Sequence, residues 1–505
     1  MKRKIALALT MAMLGTCLAG CGQADTDTNA STEAKDATAA AGTAAAETTE
    51  SEKEWYGTED GKTITLHFWG GVQPEYGYDD LCANFNEEYK DKGLQVEYVR
   101  YVNDDNGNLQ LETYLMGGGD VDLFIGYGGR TKMDKRVDSN LRQDENHTAL
   151  TMLYLVFLLD MSGMLNDIGF NLDDELGVAN MAEYHYDDGA VYGFPTKYEN
   201  SRWILINEDM FKEAGLDIPY DGWTYSEFLA DAEKLTHGED QDKVYGVCWA
   251  RKQSGKSILY ALDGVLGANQ IYKNEEGTEV NFDNDVYRAG LNLVKETLDK
   301  GYAIPIEDEF SEDISVANTF LQGKCAIMLG VAQMRLCMDQ ENYPHDFMTA
   351  LVPAPVPDDE KYNTEFYRKQ IGTTGAGDLL SISANTKYPE ASFEFAMWYL
   401  KGGMSPLVQG GRIPLWNGVN KDEVLSVLKE KAQGSIDMDS MENYLSLDTT
   451  QGVAAIKGNA SSEISSAWFE EFDAMCYGKQ SVDQTVQNME KRGNELIQTE
   501  LSSQK

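Results

Sequence analysis

The stretch Asp187–Phe228, DDGAVYGFPTKYENSRWILINEDMFKEAGLDIPYDGWTYSEF, carries the densest structural signals in this chain of 505 residues. Within it, Ala190–Pro195 and Ser201–Asn207 are short apolar runs typical of strands. A helical pattern follows and ends at Gly215, a residue type that commonly stops a helix. The order strand, strand, helix predicts an α/β fold, in which helices cover a sheet.

The same stretch contains a start signal for a second helix, expected over Trp223–Thr236. Thr224 comes directly before the helical run, and Glu227 stands three residues later. This spacing is that of a capping box, in which the two side chains each satisfy a free backbone N–H group at the start of a helix.

Strand and helix patterns continue on both sides. Thr63–Gly71 and Leu94–Val102 predict strands around a helix over Tyr78–Lys90, an order that implies parallel pairing. After an N-terminal leader and a polar segment, about 450 residues remain, more than one hydrophobic core normally serves, so two lobes are expected. Further strands are predicted over Val121–Gly129, Val244–Ala250 and Gly323–Gly330, and a further helix over Tyr287–Gly301.

The N-terminus has the parts of a secretory leader in their usual order. Basic residues 2–4 precede the apolar run Ile5–Thr16, which is too short to span a bilayer because a span needs about 20 residues. Leu18–Cys21, LAGC, resembles the bacterial lipobox, in which the cysteine thiol is acylated and the chain is cut before it. A plain secreted protein with an incidental Cys21, or an uncleaved anchor helix, remains an alternative.

Residues 21–55 form the polar segment after the leader, rich in Ala, Thr, Ser, Asp and Glu. Such a composition buries too little apolar surface to offset the entropy of ordering, so a disordered tether is expected. The longest later apolar block, Leu150–Met161, is interrupted by Asp160 and predicts buried core, not a membrane span. The expected location is the extracellular face of the cell membrane, with the lipid as the sole attachment to it.

Charge and cysteine usage narrow the class of protein. The formal net charge of −42 disfavours nucleic acid and anionic lipid surfaces as partners. Five cysteines lie in the body, without a CxxC pair, and we interpret them as buried thiols while one pairing stays open: Cys82, Cys248, Cys325, Cys337 and Cys476. The five histidines are scattered along the chain, so neither a metal site nor a cofactor is expected.

The sequence lacks the usual hydrolase motifs. There is no HExxH, which sets two zinc-binding imidazoles on one helical face, and no GxSxG nucleophile elbow. With 84 acidic residues, paired carboxylates for glycoside cleavage have too many candidates to test by spacing. We expect no catalytic residues, with a secreted carbohydrate-active hydrolase as the alternative.

The motifs taken together resemble the extracellular solute-binding proteins of bacterial ABC importers, in the branch that includes the maltose-binding proteins. Asp187–Phe228 is the most specific match, with its Gly-Phe-Pro, Phe-x-x-Ala-Gly-Leu and Trp-Thr-x-x-Glu-Phe in family order. Other matching segments occur in the family's order over nearly the whole body: FWGG, MGGGDVDLFIG, FLQGKCAIMLG, SISANTKYPEASFEFAMWYL and SSAWFEEFDAMCYGKQSVDQTVQNM.

The resemblance implies a two-lobed periplasmic-binding-protein-like fold. Each lobe is expected to be a mostly parallel sheet flanked by helices, with crossing segments as hinges between the lobes. The implied divisions are a signal peptide over 1–20, a tether over 21–55, a first lobe over 56–195 plus 377–410, and a second lobe over 204–370 plus 415–505.

The resemblance also implies ligand-binding residues, which suit a saccharide because sugars offer apolar faces to aromatic rings and hydroxyl rims to charged and amide groups. Trp69 and Trp468 could instead belong to the core, as could Trp249, and Arg130 could form a surface ion pair. The implied set is Trp69, Gln73, Glu75, Tyr127, Arg130, Lys197, Tyr198, Glu199, Asn200, Trp249, Gln333, Arg335, Arg412, Trp468 and Phe469.

By the same resemblance, the function would be that of a monomeric receptor. It would capture a carbohydrate, an oligosaccharide, between its lobes and deliver it to the membrane subunits of an ABC permease. No nucleic acid is expected as a partner. A peptide or a polyamine is the alternative ligand, since Glu75 and Glu199 could face an amine.

Overall fold

The strands of the chain form two separate sheets. The computed structural model describes residues 55–101, 109–126, 157–176, 189–199, 203–251, 272–274, 276–311, 314–329, 334–370, 375–432, 434–446 and 460–503. Among the described residues, the first sheet has six strands and the second has four. The α/β class predicted from the sequence is therefore confirmed.

The strands of the first sheet come from four parts of the chain: β1 Ile64–Gly70, β2 Leu94–Arg100, β3 Leu123–Gly126, β4 Phe194–Glu199, β9 Gly375–Ile382 and β10 Ile413–Pro414. The second sheet uses β5 Trp203–Asn207, β6 Tyr245–Cys248, β7 Cys325–Leu329 and β8 Thr349–Pro353. The order of neighbouring strands is β10-β4-β9-β3-β1-β2 in the first sheet and β6-β7-β5-β8 in the second. Each strand predicted above is present, although β4 begins at Phe194 and extends beyond Pro195.

Helices cover these sheets. The helices before β4 along the chain are α1 Tyr78–Tyr89, α2 Leu109–Met116, α3 Ser162–Asp167 and α4 Leu172–Glu175. The first two after β9 are α11 Pro389–Trp398 and α12 Lys421–Lys431. The others are α5 Glu208–Glu213, α6 Tyr225–Leu235, α7 Asp285–Asp299, α8 Ile306–Ser311, α9 Met334–Met338, α10 Glu365–Gln370, α13 Met438–Leu445, α14 Ser461–Cys476 and α15 Val482–Ser503. The predicted capping box is present, since Thr224 and Glu227 exchange their hydrogen bonds at the start of α6.

Both sheets are mixed, and the expectation of mostly parallel sheets was wrong. In the first sheet β1 pairs in parallel with β2 and β3, whereas β9 is antiparallel to both β3 and β4. In the second sheet β6 and β7 are parallel, but β5 is antiparallel to β7 and β8. The reason is the chain path: β4 leads out of the first sheet and β9 leads back into it, so these two neighbours run in opposite directions.

Successive side chains of a strand pack into apolar clusters on opposite faces of the sheet. On β5, Trp203 and Leu205 belong to one apolar cluster and Ile204 and Ile206 to another. This follows from the period of two, which sends successive side chains to opposite faces. The cluster that holds Leu205 also includes residues of β1, so one apolar core continues from the first sheet to one face of the second.

The five cysteines of the body are free thiols. Cys248, Cys325 and Cys337 are buried, as interpreted from the sequence, whereas Cys82 and Cys476 are half-buried. The disulfide that the sequence left open is not formed. Within the described ranges, no helix combines the length and the apolar character that a bilayer crossing requires.

Candidate ligand-binding site

Charged side chains meet on the crossing strands of the first sheet. Arg412, directly before β10, donates from Nε to Oδ2 of Asp378 on β9 at 2.7 Å. Nζ of Lys197 on β4 lies 4.0 Å from Oδ1 of the same carboxylate. Because Asp378 is only 4% exposed and Arg412 6%, this ion pair is buried.

Arg335 brings another cation to this place from the second sheet. It lies on α9, which follows β7 along the chain. A Cβ added at Gly411, the neighbour of Arg412, would lie 3.4 Å from Cε of Met334 and 3.6 Å from Cβ of Arg335, so α9 abuts the turn before β10. We call Lys197, Arg335, Asp378 and Arg412 the crossing-strand charge cluster.

The pKa values in this cluster follow from burial and mutual attraction. Burial alone would raise the pKa of Asp378, but Arg412, Lys197 and Arg335 outweigh it and hold that pKa below its ordinary value. Burial, followed by repulsion from Arg412, lowers the pKa of Arg335. Asp378 is therefore a carboxylate at neutral pH, surrounded by positive charge.

Tyr76 connects the cluster to the loop that follows β1. Its hydroxyl donates to Oδ2 of Asp339, the residue directly after α9, at 3.1 Å, and the guanidinium carbon of Arg335 lies 6.0 Å from the centre of the Tyr76 ring. Gly77 makes the tight turn after Tyr76 with φ of 105°, and a Cβ there would lie 2.3 Å from the carbonyl oxygen of Pro406. Only glycine fits this position.

Three of the residues implied by the resemblance therefore lie together: Lys197, Arg335 and Arg412. Near Tyr76, Gln73 precedes the short helix that follows β1 and is half-buried, while Glu75 lies within that helix and is exposed. Residues of both sheets thus converge at one place, which is the geometry that a ligand held between two lobes requires.

Trp69 lies on β1 and packs in an apolar cluster. Its side chain is 5% exposed and belongs to a small apolar cluster with Tyr101 and Phe124. Its indole N–H donates to the carbonyl oxygen of Asp120 at 3.1 Å. These contacts are those of a core residue.

Trp249 and Trp468 are buried in the core of the second sheet. They are 2% and 1% exposed. The indole N–H of Trp249 donates to Oγ1 of Thr297 at 2.9 Å, and Trp468 stacks on Phe472 with ring centres 4.9 Å apart. Their burial favours packing over contact with a ligand.

Phe469, the neighbour of Trp468, is half-buried and covered by a cation. The guanidinium carbon of Arg251 lies 4.1 Å from the centre of the Phe469 ring. Arg251 also forms two hydrogen bonds with Asp473, at 2.8 and 2.9 Å. The ring is thus already occupied on one face.

The remaining implied residues divide between buried and undescribed ones. Tyr198 is buried, with its ring centre 5.5 Å from that of Tyr444. Glu199 lies in β4 by its backbone. Tyr127, Arg130, Asn200 and Gln333 lie outside the described residues, as do Cys21 and the expected tether up to residue 54.

A histidine and two aspartates also come together, although their spacing in the sequence gave no sign of it. One ligand atom each of His67, Asp120 and Asp122 lies within 4.8 Å of the others. However, Asp122 already accepts hydrogen bonds from the backbone N–H of His67 at 2.8 Å and from the hydroxyl of Thr386. We therefore interpret this group as a structural link between β1 and the segment before β3.

Sequence reasoning missed Asp378, Tyr76 and Asp339. One aspartate among 84 acidic residues carries no signal by its type. The available clue was position, because Asp378 is a charge directly before the mostly apolar run LLSI. Its partner Arg412 lies 34 residues further on, and only the sheet brings the two together.

Two sheets joined by crossing strands, with residues of both meeting between them, define a two-lobed protein of the solute-binding class. The family model described as "Bacterial extracellular solute-binding protein" matches residues 70–401. This match covers more than half of the chain, and the chain belongs to that family.

Solved structures agree on the fold. A sugar transporter from Rhizobium etli in an open conformation matches with a TM-score of 0.61 and 17% identity, over 85% of this chain and 99% of that one. Maltose-bound MalE3 of T. maritima matches with a TM-score of 0.61 and 16% identity, over 86% and 100%. A Listeria monocytogenes ABC substrate-binding protein in complex with cycloalternan gives 0.60 and 16%, over 86% and 98%. The two-lobed fold implied by the resemblance is confirmed.

Proposed function

We propose that this chain is the membrane-tethered, extracellular substrate-binding component of an ABC importer. It captures a carbohydrate, an oligosaccharide, between its lobes and delivers it to the permease. The observation that carries this proposal is the meeting of Lys197, Arg412 and Asp378 of the first sheet with Arg335 of the second. Membership of an extracellular solute-binding family supports it, and the cycloalternan and maltose held by proteins of similar fold favour a saccharide.

The mechanism needs no bond to be made or broken in the ligand. A ligand that contacts both lobes binds the closed arrangement more tightly than the open one, so it shifts the population toward closure. The permease then recognises the closed surface, and ATP is hydrolysed by other subunits. The first lobe comprises residues 56–195 and 377–410, and the second comprises residues 204–370 and 415–505. The chain acts as a monomer.

The binding residues that we propose lie around the crossing-strand charge cluster. Gln73 and Glu75 contribute from the loop after β1, and Lys197, Arg335 and Arg412 contribute from the crossing segments and α9. By the family resemblance, the proposed set also includes Tyr127, Arg130, Glu199, Asn200 and Gln333.

The charge of the cluster argues against a polyamine. Lys197, Arg335 and Arg412 would repel an ammonium group, and the carboxylate of Asp378 beside them is already ion-paired with Arg412. A hydrolase of the same fold would need a water-accessible pair of carboxylates beside the sugar. Asp378 does not fill that role because it is buried and ion-paired.

A thermal-shift screen of the full chain against a glycan panel tests the proposal. A ligand that binds the folded state at 100 times its Kd raises the free energy of unfolding by about 2.7 kcal/mol, which is a clear rise in Tm. The sugars are analysed for new reducing ends afterwards. We expect at least one oligosaccharide to raise Tm and to be recovered intact. A panel without any shift would refute carbohydrate capture, and new reducing ends would establish the hydrolase instead.

A further inference from the structure

The fold of the first sheet holds His67, Asp120 and Asp122 side by side. β1 and β3 pair in parallel, and the backbone N–H of Asp122, directly before β3, donates to the carbonyl oxygen of His67 at 3.1 Å. Trp69 is two residues after His67 and therefore on the same face of β1. Its indole N–H holds the carbonyl oxygen of Asp120 at 3.1 Å. One imidazole and two carboxylates thus meet on one face of the sheet.

The distances within this group are those between ligands of one metal ion. Nδ1 of His67 lies 3.3 Å from Oδ2 of Asp120 and 3.6 Å from Oδ2 of Asp122. Nitrogen and oxygen ligands of Zn²⁺ lie about 2.0–2.2 Å from the ion at the corners of a tetrahedron, so they are about 3.4 Å from each other. A charge-assisted hydrogen bond between the same atoms would be shorter, about 2.7–2.9 Å. The spacing fits a shared ion better than it fits direct hydrogen bonds.

The Nδ1 atom of His67 is buried, and in the described part of the chain it has no hydrogen-bond partner. Buried polar atoms are nearly always satisfied, and an exception calls for an explanation such as an ion or a water molecule. The side chain of Asp120 is 77% exposed, so the group is open to an ion from the solvent. A metal ion bound to Nδ1 would satisfy this atom.

Asp122 has the surroundings of a carboxylate that binds a metal. It is 4% exposed and accepts hydrogen bonds from the backbone N–H of His67 and from the hydroxyl of Thr386. These bonds leave lone pairs free, since a carboxylate offers about four, and hydrogen bonds of this kind commonly orient a metal-binding carboxylate. Among the described contacts, neither Asp122 nor Asp120 forms an ion pair with a lysine or an arginine. A metal ion would supply the positive charge that a buried carboxylate requires.

We propose that His67, Asp120 and Asp122 bind one divalent metal ion of the zinc type, through Nδ1 and one oxygen of each carboxylate. Three protein ligands with water at the fourth position are a usual arrangement for Zn²⁺. Glu97 lies opposite His67 in the register of β1 and β2, so its exposed carboxylate adds negative potential on the same face. The ion joins β1 to the segment before β3, which is a structural role. This site goes beyond the proposed function, because it shares no residue with the proposed ligand-binding set.

Isothermal titration of Zn²⁺ into the full chain in detergent, after treatment with EDTA and dialysis, tests the proposal. We expect a saturable site for one Zn²⁺ per chain. We also expect Tm to rise as Zn²⁺ is added, because an ion that binds only the folded state stabilises it by mass action. Mg²⁺ at the same concentration should not replace Zn²⁺, since Mg²⁺ prefers octahedral oxygen ligands. Absence of saturable Zn²⁺ binding would overturn the proposal and leave these residues as a hydrogen-bonded link only.

Variants localise the bound ion. Asp120→Asn and His67→Gln should each weaken Zn²⁺ binding at least about tenfold, since even changes to residues that only hydrogen-bond to metal ligands weaken binding ten- to hundredfold. The matched control is Asp422→Asn, at an exposed aspartate of α12, which should bind Zn²⁺ as the parent does. Asp120 is exposed, so Asp120→Asn decides if His67→Gln melts early. Undiminished Zn²⁺ affinity in these variants would refute the assignment and place the bound zinc on other residues.

Discussion

The hydroxyl of Tyr76 donates a hydrogen bond to the Asp339 carboxylate at 3.1 Å, across 263 residues of sequence. Tyr76 lies in the loop after β1 of the first sheet, and Asp339 follows α9, which comes after β7 of the second. Burial and this hydrogen bond raise the pKa of Tyr76 to about 12, so its hydroxyl keeps its proton at any physiological pH. The bond therefore links the two lobes in the conformation described here.

Loss of this bond should favour the open arrangement. Tyr76→Phe removes only the hydroxyl, and a net contribution of about 1 kcal/mol corresponds to a roughly fivefold weaker affinity for a ligand that needs closure. Titration calorimetry measures the affinity, and small-angle scattering measures the radius of gyration of the free protein. Tyr477→Phe, at an exposed tyrosine, is the control. Unchanged affinity and radius in Tyr76→Phe would show that the bond does not stabilise closure.

Removal of Arg412 should destabilise the fold. In Arg412→Met the carboxylate of Asp378 stays buried, and the Nζ atom of Lys197 lies 4.0 Å from it. Loss of one member of a buried ion pair costs about 3 kcal/mol or more. Denaturant unfolding measures the loss. The double variant Arg412→Met with Asp378→Asn should recover a large part of it, because the unpaired charge is then absent.

A surface ion pair provides the comparison for that experiment. Lys429 and Glu442 are paired at 2.9 Å but are about half exposed, so Lys429→Met should change stability by less than about 1 kcal/mol. Equal effects of Lys429→Met and Arg412→Met would contradict the account of a buried, essential pair.

Glu309 should make stability depend on pH near neutrality. Its side chain is fully buried on α8, and burial raises its pKa from 4.5 to about 7, against the opposing effect of hydrogen bonds from the backbone N–H groups of Arg251 and Ala250. Because the folded-state pKa lies above the unfolded one, the stabilising contribution is complete below about pH 4.5. It is lost as pH rises through about 7, by about 3 kcal/mol in total.

Thermal melting between pH 5 and 8 measures this effect. Glu309→Gln cannot ionise, so its Tm should fall less over that range than the Tm of the unmodified chain. Glu430→Gln, at an exposed glutamate of α12, should leave the pH profile unaltered. A Glu309→Gln profile parallel to that of the parent would mean that this carboxyl does not titrate between folded and unfolded states in this window.

Trp69 should matter for stability. Its burial and its hydrogen bond to the Asp120 carbonyl predict a loss of about 3–5 kcal/mol on Trp69→Ala, in the range of large-to-small core substitutions. Trp55 is 39% exposed, so Trp55→Ala should lower the free energy of unfolding by less than Trp69→Ala does. Denaturant midpoints distinguish the two, and a small effect of Trp69→Ala would return this residue to the list of ligand contacts.

The proposed lipid anchor can be tested with a matched control, because the proposed leader contains a second cysteine. Cys21→Ser removes the thiol that would be acylated and should shift the protein from the membrane fraction to the soluble fraction of cells that export it. Cys17→Ser, at the other cysteine of the leader, should stay with the membrane. Retention of Cys21→Ser in the membrane fraction would exclude a lipid on Cys21 as the attachment.

Local patterns in the sequence were sufficient for the elements. The capping box at Thr224 and Glu227, the end of a helix before Gly215 and the strand Trp203–Asn207 are all where the patterns placed them. Each of these signals depends on residues within one or two turns of chain, so periodicity and turn chemistry suffice. The family order of the motifs then implied two lobes.

The direction of a strand and the residues that a side chain contacts could not be predicted in the same way. The pattern of β9 predicts a strand, but its antiparallel pairing with β3 and β4 depends on where the chain has been in the 175 residues between Glu199 and Gly375. Likewise, the tryptophans of the implied site have the right residue type for sugar contact. Which face of a strand or helix each one occupies was decided by the packing of the opposite layer.

The sequence by itself predicted the class of fold and the family, because their signals reside in short runs of residues, and the address signals at the N-terminus stay a prediction. Only the tertiary structure decided that Lys197, Arg335 and Arg412 surround Asp378, and that the three described tryptophans of the implied site lie in the cores. The physical reason is that charge acts through space over a few ångströms, so its partners are set by sheet order and crossing strands, not by distance along the chain.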